Sequence, residues 1–366
     1  MPHGAIRVGQ VEIVALCDAV VSSSRPGSGS FPDVHERRWR EARGLHPELY
    51  ADDGGWRFHV HVYVVRSEGR IFLLDTGIGP ASAPAHAWTG IEGSLPTELA
   101  DAGVDPLGIE LVLISHVHDD HLGWNVTEAA MPTFPNARYV INRADWELMA
   151  DATDEEDREI FAAVLEPLQR AGVIDLSGSS LEITAELRLE HAPGHTPGHQ
   201  MLAIDSGGER ALLSADLVNH PVQLHQPGLA GASDMDPERA NATRTSWLER
   251  IEREGPVVAP AHFAEPFGRI VRNDTGRPAH VVGPQQQQAF FAQIPALCRA
   301  GLGNRTRASS QEQASFSSGQ RGRKALFSDR HFSLTEQPIE TAAPEAPAPV
   351  EPPAPPPQAE QPASCL

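Results

Sequence analysis

The sequence predicts an α+β fold in which two β-sheets face each other with helices on the outside, a four-layer αββα sandwich with a C-terminal tail. Three observations carry this. Apolar and polar residues alternate in two separate blocks, each followed by helical stretches. The helical stretches stop at glycines, and no segment repeats at a fixed period. Composition is globular to about residue 283 and changes beyond it.

In the first block, residues 11–18 (VEIVALCD) read as a strand. After a Gly/Pro/Ser-rich loop, residues 58–66 (FHVHVYVVR) and 70–77 (RIFLLDTG) read as strands joined by the tight turn SEG. Residues 96–103 form a short helix stopped by Gly103, and 109–116 (IELVLISH) a buried strand. NARYVINRADWELM reads as strand then helix, and 152–172 as one amphipathic helix ending at Gly172. The second block supplies strands at 181–192, 199–208 and 210–217, a helix at 236–255 and a short strand within 256–263. The expected domain spans residues 1–283. Residues 284–301 are expected to add a terminal helix, and the Ser/Gln/Arg-rich then Pro/Ala-rich stretch 302–366 is too poor in apolar residues to offset its ordering entropy and is expected to be disordered.

The net charge of −20, from 49 acidic and 29 basic residues, argues against nucleic acid and anionic membranes as partners. Three scattered cysteines, Cys17, Cys298 and Cys365, give neither a disulfide framework nor a CxxC metal site. The N-terminus has no basic start followed by an unbroken apolar run, and no window has the length of a membrane span, so a cytoplasmic protein is expected. The expected partner is a small-molecule substrate, with a homodimer left open.

The chemistry is concentrated where the strand at 109–116 runs into SHVHDDHLGW. In extended backbone His116 and His118 point to one side, and a turn directly after them can swing Asp120 and His121 back to the same point. A polar turn rich in histidine is the alternative, but it must then explain four potential ligands in six positions. Further candidates close or follow apolar strands: His195 in APGHTPGH, Asp216 in SADL and His262 in PAHF. A carboxylate at such a strand exit is costly to desolvate unless a cation pairs with it. Imidazole and carboxylate donors together suit zinc, manganese, iron or cobalt.

The ordered motifs LLDTG, SHVHDDHLGW, APGHTPGH, SADL and PAHF resemble the metallo-β-lactamase superfamily over about residues 10–283. The resemblance implies a two-metal hydrolytic site, with His116, His118 and His195 on one metal, Asp120, His121 and His262 on the other, and Asp216 bridging. It places Asp75 behind the ligands, where it orients an imidazole. The implied cofactors are two divalent ions, zinc first, with manganese or iron as alternatives. The implied reaction is hydrolysis by a hydroxide shared between the metals, with Asp120 also able to accept a proton.

Within the superfamily, SADLVNHPVQLHQP and HLGWN look most like the branch of acyl-homoserine lactonases and methyl-parathion-type hydrolases. That points to an ester, lactone or related bond in a small, partly apolar molecule. The lactonases commonly carry a tyrosine three residues after the bridging aspartate; here Asn219 stands there, and its amide can donate to an oxyanion. His220 and His225 either line the pocket, assist as acids, or are loop residues. Trp124, Leu217, Val218 and Phe263 form an apolar wall or pack in the core, and His59 and His61 are structural or at the rim. Asp119 is left facing solvent. Competing readings are an organophosphate hydrolase, a mononuclear-iron redox enzyme of the persulfide-dioxygenase kind, and a scaffold acting through its tail.

Overall fold

The computed structural model describes residues 4–51, 54–272 and 278–281. The expected helix at 284–301 and the tail at 302–366 lie outside the described residues. The first sheet runs in chain order, β1 (Gly4–Val8), β2 (Val11–Pro26), β3 (Gly55–Ser67), β4 (Arg70–Leu74), β5 (Ile109–Leu113), β6 (Arg138–Asn142) and β7 (Ile174–Ser177). The second contains β8 (Ser180–Glu182), β9 (Leu187–His191), β10 (Gln200–Ser206), β11 (Glu209–Ala215) and β12 (Val257–Pro260), in the order β12-β11-β10-β9-β8. β13 (Arg269–Arg272) and β14 (Pro278–Val281) pair antiparallel in a separate two-stranded sheet.

Period-two alternation sorts side chains into layers, as the sequence predicts. Tyr63, Val65, Phe72, Leu74 and Leu113 of the first sheet meet Leu189, Leu202, Ile204, Leu213 and Ala259 of the second in a central core. Their sequence neighbours Val62, Val64, Leu73 and Val112 point outward, against helical residues such as Leu95, Leu99, Val164 and Leu168. On the far side, Met201, Leu212 and Val258 pack under Leu248 and Ile251 of the long helix Pro237–Glu254. The result is the expected αββα order.

Differences from the sequence reading have local causes. The expected helix at 152–172 is split into Glu155–Ile160, a π-helical turn Phe161–Leu165 and Glu166–Ala171. Pro167 has no N–H to continue the α-helical ladder, and Glu166 N instead donates to Phe161 O five residues back. The expected strand at 181–192 folds into β8 and β9, because a turn at Thr184 interrupts an apolar alternation that continues in sequence on both sides. β1, β7 and the helix Glu36–Leu45 were not expected; six of that helix's ten residues are charged, and Ala42 is buried.

Strand direction positions the site. β4 and β5 are parallel, and so are β11 and β12, while β9 is antiparallel to β10 and therefore runs with β11. The ends of β4, β5, β9, β11 and β12 consequently open toward one edge of the sandwich. Tyr63, 1% exposed, ties the sheets together there: its hydroxyl donates to Pro260 O at 2.7 Å. Tyr63→Phe is expected to cost about 1 kcal/mol, read as a lower urea midpoint at unchanged slope.

Candidate metal centre

The chain bends sharply where ligands must leave their strands. Asp75, directly after β4, has φ 63°, and Ala215, at the end of β11, has φ 42° beside a register shift. Left-handed backbone at residues other than glycine costs on the order of 1–3 kcal/mol each, and both bends present a carboxylate to the same place. His116 and His118 follow β5, and the single turn Asp119–Leu122 brings Asp120 and His121 round. His195 sits in the β9–β10 loop, whose Gly194 has φ 134°; a Cβ there would lie 2.2 Å from Ala240 N, so only glycine lets this loop dock on the long helix.

Ligand atoms of three overlapping groups gather within 4.8 Å of one another: His116, His118 and His195; His116, His121 and Asp216; and Asp120, His121 and His262. All seven residues anticipated as ligands are thus brought together. His116 Nε2 lies 3.1 Å from His118 Nδ1, His195 Nε2 lies 3.2 Å from Asp216 Oδ2, and His262 Nε2 lies 3.1 Å from Asp216 Oδ1. His121 Nε2 faces Asp216 Oδ1 at 3.4 Å and Asp120 Oδ1 at 3.6 Å.

The far side of four imidazoles is held by an oxygen, which fixes which nitrogen points inward. His121 Nδ1 donates to Asp75 Oδ2 (2.9 Å), His195 Nδ1 to Asp234 Oδ1 (2.8 Å), and His262 Nδ1 to the carbonyl of His59 (2.8 Å). His116 Nδ1 donates to Ser115 Oγ at 3.0 Å, and that hydroxyl donates to Asp75 Oδ2 at 2.7 Å. The inward atoms behave differently. His121 Nε2, His195 Nε2 and Asp216 Oδ1 are buried and have no hydrogen-bond partner among the described residues. Buried polar atoms in this state call for a ligand.

Electrostatics agree with the donor set. Burial opposes charge on His121, but Asp120, Asp216 and Asp75 outweigh it and push its pKa up to about 10. His195, likewise resisted by burial, is pushed up to about 9 by Asp216 and Asp234. Asp216 is buried, yet His262 and His121 hold it well below the usual carboxylate range. Burial keeps His116 and His118 neutral, with a lone pair to offer. The centre therefore attracts positive charge: the imidazoles of His116 and His118 are neutral, and a divalent cation would replace the protons that the surrounding carboxylates draw onto His121 and His195.

Other anticipated residues fall elsewhere. One N–H of Asn219 Nδ2 is committed to Asp216 Oδ2 at 2.6 Å. His220 lies among aromatic rings, stacked on Trp39 with centroids 4.9 Å apart. Leu217, Val218 and Phe263 pack in the outer core of the second sheet, and Trp124 donates to Asp18 at 3.0 Å, so these four are packing residues. His59 and His61 stack on each other at 5.6 Å and are structural. Asp119, expected to face solvent, is half-buried and accepts the indole N–H of Trp88 at 2.7 Å.

Sequence reasoning missed several supports. His199, in the same APGHTPGH motif, donates from Nδ1 to Ala192 O and accepts Asp216 N–H on Nε2 at 3.2 Å. Asp234 is gripped by Gly231 N and by Arg244, a guanidinium 1% exposed that also donates to Leu217 O. Asp145 accepts from Thr196 Oγ1 and Gly198 N and holds the His195 loop. Only the buried partners identify these residues; in sequence Asp234 lies just ahead of the expected helix at 236–255.

Residues 55–262 match the model of the metallo-beta-lactamase superfamily. The chain belongs to that superfamily. Similar curated proteins include the N-acyl homoserine lactonase AiiA of Bacillus thuringiensis subsp. kurstaki, 26% identical over 223 residues, covering 56% of this chain and 82% of the relative. Another is the N-acyl homoserine lactonase AttM of Rhizobium radiobacter, 24% identical over 217 residues, covering 52% and 78%. Among solved structures, AidC, a dizinc quorum-quenching lactonase in complex with a product, superposes with a TM-score of 0.67 at 21% identity over 77% of this chain and 97% of its own. The hydrolase AbOPH does so with 0.65 at 21% identity over 76% and 96%. This superfamily member is a metal-dependent hydrolase, and its converging His and Asp groups could hold divalent metal ions.

Asp234→Ala is expected to weaken metal affinity about 10- to 100-fold, because it frees the imidazole of His195 and strands Arg244. Competition with a chromogenic chelator measures this, and an affinity equal to that of the parent protein would remove Asp234 from the centre.

Proposed function

We propose that the protein hydrolyses a lactone or closely related ester of a small, partly apolar molecule, using two zinc ions. In this reading His116, His118 and His195 hold one ion, Asp120, His121 and His262 the other, and Asp216 bridges them. The observation that carries it is the pairing of fixed outer N–H groups with unpartnered inner atoms on ligands from both sheets. The lactonase names of the curated relatives support the substrate class.

When bound, the two cations supply the positive charge that acidifies a water molecule and polarises a carbonyl. The chain's own residues do the rest. The carbonyl of His59, together with Asp75, Ser115 and Asp234, holds the imidazoles in the tautomer that offers a lone pair inward. Asp120, less deeply buried than Asp216, is the carboxylate placed to accept a proton from water and pass it to the leaving oxygen. Asn219 acts through Asp216: its N–H bond to Oδ2 fixes the rotation of that carboxylate and makes it a positioning residue.

Purified protein is expected to carry about two zinc ions per chain and to open γ-lactones in a pH-stat assay. A chelator should abolish turnover and added zinc should restore it. One iron per chain with oxygen consumption would instead establish the redox alternative. His118→Ala is expected to lose metal and at least 100-fold in kcat/KM together; full activity in that variant would contradict the ligand assignment.

A further inference from the structure

Asp18 carries a buried carboxylate that the hydrolytic chemistry does not use. It stands in β2 where the register with β3 shifts between Cys17 and Ala19, and an irregularity of this kind re-aims a side chain. The residue is 2% exposed. Burial pushes its pKa up to about 6, and the groups that oppose this are the N–H donors of Ile78, Leu95, Trp124 and Ser94, none of them a cation.

Three distant segments of chain meet on this one group. Oδ2 accepts the backbone N–H of Ile78 at 2.7 Å, while Oδ1 accepts that of Leu95 at 2.7 Å and the indole N–H of Trp124 at 3.0 Å. These donors lie 60, 77 and 106 residues away in sequence. The backbone carbonyl of Asp18 accepts Ser94 N–H at 2.9 Å, and Gly93 N–H donates to Gly79 O at 2.8 Å, closing the neck of the intervening loop. A Cβ at Gly77 or at Gly93 would collide with Oδ2, so the chain packs directly on the carboxylate.

Two of the three segments build the metal centre. The stretch after β4 begins at Asp75, which orients His121, and the turn Asp119–Leu122 carries Asp120 and His121. Backbone bonds zip the two together: Thr76 N–H donates to His121 O at 2.9 Å, Gly123 N–H to Gly77 O at 2.7 Å and Trp124 N–H to Thr76 O at 3.2 Å. Asp18 grips this zipper on both sides, at Ile78 and at Trp124. The other ligands have separate supports, since His195 is held by Asp145 and Asp234, and His116 follows β5, which is paired on both edges by β4 and β6. From this convergence we infer that Asp18 is a positioning residue for Asp120 and His121, holding the stretch 75–78 against their turn and so setting the affinity for the ion that those two residues bind. The inference rests on the proposed partition of ligands for the ion it names, but not for the clamp itself.

Asp18→Asn keeps the shape of the side chain, yet with three donors around two oxygens its NH2 group must face at least one N–H. The first test follows hydrogen exchange in the full chain as purified. The amides of Gly123 and Trp124 are expected to exchange about tenfold faster in the variant, while that of Gln200, which donates to Ser115 O in the other half of the centre, keeps the parent rate. Equal quickening at all three amides, as a loss of overall stability alone produces, or no change at Gly123 and Trp124 would overturn the inference. The second test titrates zinc against a chromogenic chelator and locates the ions by anomalous diffraction at the zinc edge. One of two ions is expected to bind about tenfold more weakly, and the weakened peak to be the one beside Asp120, His121 and His262. Unchanged affinity, equal weakening of both ions, or a weakened peak beside His116, His118 and His195 would overturn it. If Asp18→Asn fails to fold, Trp124→Phe, which keeps an aromatic ring and removes its bond to Asp18, is read in the same two ways. If the parent chain binds fewer than two zinc ions, the two-ion reading fails, and the exchange rates still decide the clamp.

Discussion

Everything at the functional edge of this molecule depends on one electrostatic constraint: carboxylates and imidazoles are buried together at the strand ends, where neither can be solvated. Asp216 is 3% exposed and His121 1% exposed. Such a cluster persists in a folded protein when opposite charges and hydrogen bonds compensate each member. The surroundings supply this on the outer side, through Asp75, Ser115, Asp234 and the carbonyl of His59. On the inner side they leave lone pairs that converge. The strained backbone at Asp75 and Ala215 is accounted for in the same way, since each bend aims a carboxylate at the cluster.

The sandwich makes this arrangement possible at low local cost. Parallel pairs β4–β5 and β11–β12 send their ends to the same edge, so short loops suffice to deliver side chains from both sheets. Contacts across the sheets then lock the register of the two halves. Gln200, for example, donates from Nε2 to Ile114 O and from its backbone N–H to Ser115 O, just ahead of His116. Arg244 performs a similar service inside the second half, joining Asp234 to the carbonyl of Leu217 and so tying the His195 support to the residue after Asp216.

Much of this was legible in the sequence because two signals are local. Period-two alternation at 58–66 and 70–77 marks strands whatever they pack against, and HVHDDH places four donors within one turn of chain. His195, Asp216 and His262 were legible because each stands where an apolar strand ends. What the sequence did not reveal depends on distant partners. Asp234 supports His195 from 39 residues away, and His199 props the backbone of Asp216 from across a hairpin. His220 is set apart from its neighbours only by the rings of Phe31, Trp39, Tyr50 and Trp56, which come from a segment that reads as a loop. The π-helical turn at Phe161–Leu165 was hidden because the effect of one proline on a ladder is decided by the packing around it.

The central claim is that ligands from both sheets form a single two-ion centre. Anomalous diffraction at the zinc edge from crystals of the zinc-loaded protein tests it most directly. The account predicts two peaks at the strand ends, one about 2.0–2.2 Å from nitrogens of His116, His118 and His195, the other at that distance from Asp120, His121 and His262, with Asp216 reaching both. A single peak, or peaks that leave either set of side chains uncoordinated, would contradict it.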